Sequence, residues 1–169
     1  MNDWLLPNAT QDKQSVSSDW KLVGRKLIDG VIVKEVRSIV RATRTLTEIW
    51  RGDWSAVSQR VDQVFQVVLQ PGSISAWHAH GSTTDQLFVA SGQLHLILYD
   101  SRADSPTNGL LNEFHLSDHR PMLVVVPPRI WHGIINRAAE QAILLNATDS
   151  AYSYESPDHW RGTRSRVMN

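Results

Sequence analysis

Cysteine is absent from the 169 residues of this sequence, and an excess of either charge is absent as well. Without cysteine neither a disulfide framework nor a thiolate metal site can form, so any metal ion must be held by nitrogen and oxygen ligands. Lys plus Arg and Asp plus Glu number 17 each. No net charge therefore attracts nucleic acid or an anionic membrane surface, and we expect neither as a partner.

Long apolar runs are also missing. Every apolar stretch is far shorter than the roughly 20 residues that a membrane helix needs. The first residues, MNDWLLPNATQDKQ, lack the basic start and apolar core of a secretory signal. We therefore expect a cytoplasmic protein with no membrane segment.

Short β-branched runs recur along the chain and are separated by Gly, Pro and Ser, a pattern typical of many short strands. A first run begins at Val31 and continues to Val40. The side chains of Thr45–Trp50 then alternate between the two faces of a predicted strand. A helical turn is expected only near Ser156–Trp160. The other predicted strands are Val64–Leu69, Ile74–His80, Gln86–Ala90, Leu94–Tyr99, Phe114–Leu116, Met122–Val126, Trp131–Ile135 and Ala142–Asn146. The pattern predicts one all-β domain over residues 21–169, with a short C-terminal tail and an N-terminal arm over residues 1–20.

The strongest chemical signal lies between two glycines, Gly72 and Gly92. His78 and His80 are two residues apart on a predicted strand, so their imidazoles leave the same face. The intervening turn can bring Asp85 back beside them on the next strand. Two imidazoles and a carboxylate that converge from one hairpin suit a first-row divalent ion.

A second signal is the run Pro-Pro-Arg-Ile-Trp-His, which ends at His132 and is followed four residues later by Asn136. The two spacings resemble the paired motifs of the cupin superfamily. This resemblance implies a jelly-roll barrel (a double-stranded β-helix) in which His132 completes a metal set of His78, His80 and Asp85. The implied cofactor is a divalent iron, manganese, nickel or zinc ion.

Two residues depart from the cupin pattern, since the superfamily usually has Glu at the position of Asp85 and Gly at the position of Arg129. Aspartate is one methylene shorter, so Asp85 either ligates directly or hydrogen-bonds a ligand from outside the coordination shell. The alternative for the three histidines is that they merely fill the barrel interior.

Trp77 and Trp131 immediately precede two of the candidate ligands. On regular strands they point away from the ligand face, so we expect them to pack outside the site.

Most of residues 29–155 resemble the dTDP-4-dehydrorhamnose 3,5-epimerase family. The residues that carry this resemblance include Asp29-Gly30-Val31, Leu46-Thr47-Glu48-Ile49, the Asp-x-Arg…Ser-Pro-Thr-x-Gly stretch from Asp100 to Gly109, and Ala147-Thr148-Asp149. The resemblance implies carbohydrate biosynthesis, a homodimer and a keto sugar on a nucleotide as substrate. His78 matches the family's catalytic base, and the candidate substrate-binding residues are Glu48, Arg44, Arg51 and Asn136.

Other catalytic residues of that family are replaced here. Its stabilising lysine falls at Asp85, its proton-donating tyrosine at Leu145, and an expected arginine at Ser75. His80 is gained where the epimerases usually have no ligand. The sequence therefore indicates that an acid–base apparatus has been exchanged for a metal apparatus on the same barrel.

Three functions are compatible with these residues. A histidine nitrogen that binds a metal cannot also abstract a proton, so a metal-assisted isomerase or epimerase needs another base, for which His95 and His119 are candidates. The alternatives are a metal-dependent oxygenase or lyase, and a non-catalytic module that binds a sugar nucleotide. We favour the first because the resemblance extends beyond the metal motif.

Overall fold

The computed structural model describes residues 4–20, 22–55 and 60–162. These ranges contain strands and no helix. The strands are β1 (Ile32–Glu35), β2 (Ser38–Arg41), β3 (Arg44–Thr47), β4 (Gln63–Leu69), β5 (Ile74–Ala79), β6 (Asp85–Ser91), β7 (Gln93–Asp100), β8 (Leu111–Ser117), β9 (Met122–Val126), β10 (Ile130–Ile135), β11 (Ala142–Thr148) and β12 (Trp160–Arg161).

Two five-stranded antiparallel sheets form the body of the protein. One has the order β1-β9-β6-β11-β4, and the other has the order β12-β5-β10-β7-β8. Strands β2 and β3 form a separate hairpin. Two packed sheets in which all neighbouring strands except β7 and β8 are non-consecutive in sequence make the jelly roll of a cupin, which confirms the predicted fold.

The main core lies between the inner faces of the two sheets. On β7, Leu94, Leu96 and Leu98 alternate inward and are at most 3% exposed. Phe114 and Leu116 do the same on the neighbouring strand β8. Side chains alternate across a strand, so every second residue enters the core and each buried aliphatic contributes about 1.5–3 kcal/mol. The alternation of apolar and polar residues in the sequence thus places one face of each sheet in the core between the two layers.

A close approach of two strands positions the functional face of β10. Gly133 lies beside β5, and a Cβ at this position would stand 2.6 Å from the Cβ of Ala76. The pairing of β10 with β5 also shifts register between His132 and Ile134. Glycine is therefore required here by the packing of the two strands, although its φ is ordinary.

The structure differs from the predicted elements at both ends. The run expected from Val31 to Val40 is divided into β1 and β2, because the chain leaves the sheet between them and turns into the hairpin. The helical turn expected near Ser156–Trp160 is absent, and the chain instead adds β12 to the edge of β5. Within the described part of the arm, from residue 4 to residue 20, Val16 alone forms a bridge, to Leu22.

Parts of the predicted arm and tail, residues 1–3 and 163–169, lie outside the described residues. No helix in the described part of the chain is long and apolar enough to span a membrane.

Candidate functional site

Three imidazoles from two neighbouring strands meet between the sheets. His78 is on β5, His80 follows directly after that strand, and His132 is on β10, where it pairs with His78. One nitrogen of each ring lies within 4.8 Å of the corresponding nitrogens of the other two. The structure thus brings together the three histidines that the two sequence motifs indicated.

Backbone carbonyls determine which nitrogen of two rings carries the proton. Nδ1 of His132 lies 3.0 Å from the carbonyl oxygen of Ile130, and Nδ1 of His80 lies 2.5 Å from that of Asp158. A carbonyl oxygen can only accept a hydrogen bond, so each Nδ1 must donate. In the neutral rings Nε2 then has a free lone pair, and this is the form that binds a metal.

Asp85 faces both of these Nε2 atoms. Its Oδ2 lies 3.3 Å from Nε2 of His80 and 3.3 Å from Nε2 of His132. Its Oδ1 accepts a hydrogen bond from Nδ2 of Asn146 at 2.7 Å. Two nitrogen lone pairs and a carboxylate oxygen therefore converge on one point, an arrangement that is repulsive unless a positive charge lies among them.

Burial makes it unfavourable for His78 and His132 to supply that positive charge by taking up protons. His132 is 2% exposed, and burial lowers its pKa in spite of the nearby Asp85 carboxylate. Burial, together with the neighbouring His132, lowers the pKa of His78 to about 2. Both rings are therefore neutral near neutral pH, and each keeps an unprotonated nitrogen that can act as a ligand.

The cluster forms one part of a cavity of about 420 Å³ that opens between the sheets. Leu87, Ile134 and Leu144 contribute an apolar wall from the core. Residues after β11 also line the cavity, and these are mostly hydroxyl-bearing side chains together with one guanidinium: Ser150, Tyr152, Ser153, Ser156 and Arg161. A concave apolar site with a few convergent polar groups is typical of small-molecule binding.

The C-terminal segment, residues 152–162, is fastened to the turn that separates the candidate ligands. The Asp158 carboxylate accepts five hydrogen bonds from Gly81, Ser82 and Thr83. Burial alone would raise the pKa of Asp158, but the hydrogen bonds from Ser82 and Gly81 outweigh it and hold this pKa well below its usual range. Asp158 therefore fixes the turn with its side chain while its carbonyl orients the ring of His80.

His159 is a fourth imidazole in the cavity that sequence reasoning did not assign. Its ring stacks on that of His78 with centroids 5.1 Å apart and an interplanar angle of 11°. Its Nε2 is buried and has no hydrogen-bond partner among the described residues. No local motif surrounds His159, so only the return of the chain along β5 brings it to the site.

Three of the four candidate substrate-binding residues lie on or beside the β2–β3 hairpin, and none lines the cavity of this chain. Arg44 is exposed on β3. Arg51 is paired with Glu48 at 3.1 Å and with Asp53 at 2.6 Å.

Asn136, the fourth candidate, is completely buried outside the cavity. Its amide nitrogen donates to the carbonyls of Leu69 and Glu140, and its oxygen accepts from the backbone of Ala138. All of these partners are backbone groups, so Asn136 holds the loop after β10.

The two histidines considered as alternative bases do not line the cavity. His95 is on β7, outside the cavity, where its Nε2 lies 2.9 Å from a carboxylate oxygen of Glu113. The side chain of His119 is 87% exposed in a turn. Neither can reach a ligand that contacts the histidine cluster.

Alternation on β11 also places Leu145 outside the cavity. Its side chain packs against the outer cluster that contains Phe88 and Leu123, while Leu144 faces the cavity. The position matched to the family's tyrosine therefore points away from the site. Tyr152, a few residues further along, lines the cavity instead.

Trp77 and Trp131 pack together with Ile97 on the opposite face of their sheet from the histidines. This confirms the prediction that they stand outside the site.

The jelly-roll barrel with its histidine cluster defines the chain as a cupin, of the kind found in dTDP-sugar epimerases. The sequence matches no family profile. It is 32% identical over 117 residues to the "Probable low-salt glycan biosynthesis epimerase Agl13" of Haloferax volcanii, across 69% of this chain and 75% of that protein. The chain therefore belongs to the family of this glycan biosynthesis epimerase.

Two further comparisons agree. The spore coat polysaccharide biosynthesis protein SpsL of Bacillus subtilis strain 168 is 28% identical over 135 residues, across 80% of this chain and 89% of its own length. The crystal structure of a dTDP sugar isomerase from Desulfovibrio desulfuricans G20 superposes with a TM-score of 0.76 at 25% identity, across 82% of this chain and 87% of that one.

Proposed function

We propose that this protein is a metal-dependent isomerase or epimerase of carbohydrate biosynthesis that acts on a keto sugar linked to a nucleotide. The observation that carries the metal part of this proposal is the convergence of the His80 and His132 Nε2 lone pairs on the Asp85 carboxylate. The substrate class is supported by the relatives, one of which is described as a glycan biosynthesis epimerase and another as a dTDP sugar isomerase.

His78, His80 and His132 would hold the cation, with Asp85 beside them. A set of three nitrogen ligands and one oxygen ligand suits zinc, iron, manganese or nickel. Backbone carbonyls accept hydrogen bonds from Nδ1 of His80 and His132, and they act as the outer partners that orient metal-binding imidazoles. Asn146 restrains Asp85 in the same way.

A cation at this position would polarise a ketone oxygen and so make the neighbouring C–H bonds more acidic. The remaining work belongs to groups that exchange protons with the substrate. His78 cannot do so through the nitrogen that binds a cation. Tyr152 and His159 also line the cavity, and the phenol of the first and the imidazole of the second are groups that can exchange a proton with a substrate.

Solvent exchange tests this proposal directly. The protein, loaded with each candidate metal in turn, is incubated in D2O with a dTDP-4-keto-6-deoxy sugar and followed by NMR. Removal and return of a proton next to the ketone exchanges that proton for deuterium. We expect deuterium to enter a carbon adjacent to the carbonyl, and chelation of the metal to stop the exchange.

The double variant His95→Ala/His119→Ala is the matched control, since both histidines stand outside the cavity and exchange should persist. An exchange rate equal to that of the substrate alone, in protein carrying a stoichiometric metal ion, would contradict the isomerase proposal.

A further inference from the structure

We propose that His159 is a positioning residue of the metal site, because its ring stacks on that of His78 and holds His78 in the orientation in which it binds a cation. This inference rests on the proposed function for the presence of a metal ion. It concerns a contact that the proposed function does not use, and it requires no nitrogen of His159 to bind the metal.

His78 differs from the other two histidines of the cluster in what orients its ring. Nδ1 of His80 and Nδ1 of His132 each donate to a backbone carbonyl. Within the described residues, no hydrogen bond reaches either ring nitrogen of His78. A metal-binding imidazole normally has an outer partner that fixes its ring plane. For His78 the ring plane must therefore be fixed by packing.

Two neighbouring rings pack against His78. His132 approaches edge-on, with centroids 4.0 Å apart and an interplanar angle of 69°, and it is itself a candidate ligand. His159 lies almost parallel to His78, with centroids 5.1 Å apart and an interplanar angle of 11°. Offset parallel stacking at this separation is favourable for aromatic rings. A rotation of His78 about its ring axis would break this stack, so His159 restrains the ring plane.

The same geometry makes His159 unsuitable as a further ligand. The lone pair of an imidazole nitrogen lies in the plane of its ring, and two stacked rings direct their lone pairs along separate, nearly parallel planes. Accordingly, the nitrogens that lie within 4.8 Å of one another belong to His78, His80 and His132. Nε2 of His159 also has no hydrogen-bond partner among the described residues. His159 therefore contacts the cluster through its ring.

The backbone on both sides of His159 is held firmly. Asp158, one residue before it, binds the 81–83 turn through its carboxylate. Trp160, one residue after it, pairs with Ala79 in the register of β12 and β5. The ring of His159 is thus carried on a fixed segment, so little further ordering is needed for it to support His78.

Zinc affinity, measured on the metal-free protein by competition with a chromophoric chelator, tests the inference. His159→Ala removes the stack and should weaken zinc binding by about 3- to 10-fold, the value of an aromatic pair. His159→Phe keeps a planar ring without a nitrogen and should retain the wild-type affinity. If His159 acted through a nitrogen, His159→Phe would instead be as weak as His159→Ala.

A double-mutant cycle with His78→Ala shows whether His159 acts through His78. The loss caused by His159→Ala should disappear in the His78→Ala background, because no ring then remains to be oriented. A general structural role of His159 would weaken zinc binding in both backgrounds.

His115→Ala provides the matched control, because His115 forms a similar imidazole stack outside this cavity. Its ring lies 4.5 Å from that of His95 at an interplanar angle of 10°. Loss of that stack should leave zinc affinity unchanged. Chemical unfolding shows whether each variant is folded. Since Nε2 of His159 is buried and unpaired within the described residues, His159→Phe should be at least as stable as wild type.

Equal zinc affinity in wild type and His159→Ala would overturn the inference, as would a His159→Phe protein that binds zinc no better than His159→Ala. Failure of the proposed function looks different. In that case zinc affinity depends on the stack, but no deuterium enters the keto sugar. Wild-type protein with no measurable zinc affinity would contradict both.

Discussion

At the scale of single residues, the site depends on which nitrogen of each imidazole carries a proton. Local spacing was sufficient to predict that His78, His80 and His132 share one face, because alternation on a strand is a property of neighbouring residues. The contacts of His159 and Asn146 could not be predicted in this way. They depend on where distant strands lie, and no short motif encodes that.

Burial of neutral histidines should make the stability of the metal-free protein depend on pH. The pKa values of His78 and His132 are lowered from the ordinary 6.5, so the unfolded chain takes up protons first as the pH falls below that value. Stability is therefore fully present above about pH 6.5 and is lost below it, by about 1.4 kcal/mol per pH unit for each ring that stays neutral. Urea unfolding in the presence of a chelator, near pH 7.5 and near pH 5.5, measures this change.

The double variant His78→Gln/His132→Gln should have a smaller loss of stability between these two pH values. His119→Gln should keep the full loss, since the side chain of His119 is 87% exposed. Identical pH dependence in wild type and the double variant would contradict the assignment of neutral, buried rings.

At the scale of elements, β4 to β11 were predicted to within a few residues, because each is a short run of strand-forming residues and most have Gly, Pro or Ser nearby. The last strand, β12, was missed. Its two residues, Trp160 and Arg161, are too few to show a periodic sequence pattern. Their position is set by pairing with β5 and by the Asp158 anchor. Tertiary contacts therefore decide the structure of the C-terminal segment.

Removal of the Asp158 anchor should loosen both the C-terminal segment and the 81–83 turn. Asp158→Ala leaves several donors of that turn without their acceptor, and a loss of about 2–3 kcal/mol in the free energy of unfolding is expected. Affinity for a divalent metal should also fall, by about 10- to 100-fold, because the loosened segment holds its backbone carbonyl less firmly against Nδ1 of His80. Chemical unfolding and competition with a chromophoric chelator measure the two effects.

Asp149→Ala serves as the comparison, since within the described residues the Asp149 carboxylate accepts one hydrogen bond, from the N–H of Thr84 at 2.8 Å. Its effect should be about 1 kcal/mol, with little change in metal affinity. If Asp158→Ala had the same free energy of unfolding and the same metal affinity as Asp149→Ala, the anchor would have no role.

At the scale of the whole molecule, the hairpin of β2 and β3 exposes apolar side chains that no other described part of the chain covers. Ile39 and Leu46 face each other across the hairpin and are 55% and 61% exposed. Trp4, Leu6 and Trp20 of the arm are exposed as well. Exposed apolar groups of this kind favour association, which agrees with the homodimer expected from the family resemblance.

Sedimentation should therefore show a dimer, and Ile39→Lys/Leu46→Lys should shift the protein toward the monomer by placing charge on this apolar pair. Thr45→Lys adds a charge on the other face of the hairpin and should leave the dimer intact. A wild-type monomer at micromolar concentration would contradict this expectation.

Elemental analysis tests most directly whether the histidine cluster holds a metal ion. The protein is purified without added metal or a histidine tag, beside His78→Ala/His132→Ala and the control His95→Ala/His119→Ala. We predict near-stoichiometric iron, manganese, nickel or zinc in wild type and in the control, and its loss from the first variant. Wild-type protein without bound metal, even after reconstitution with each of these ions, would contradict the account.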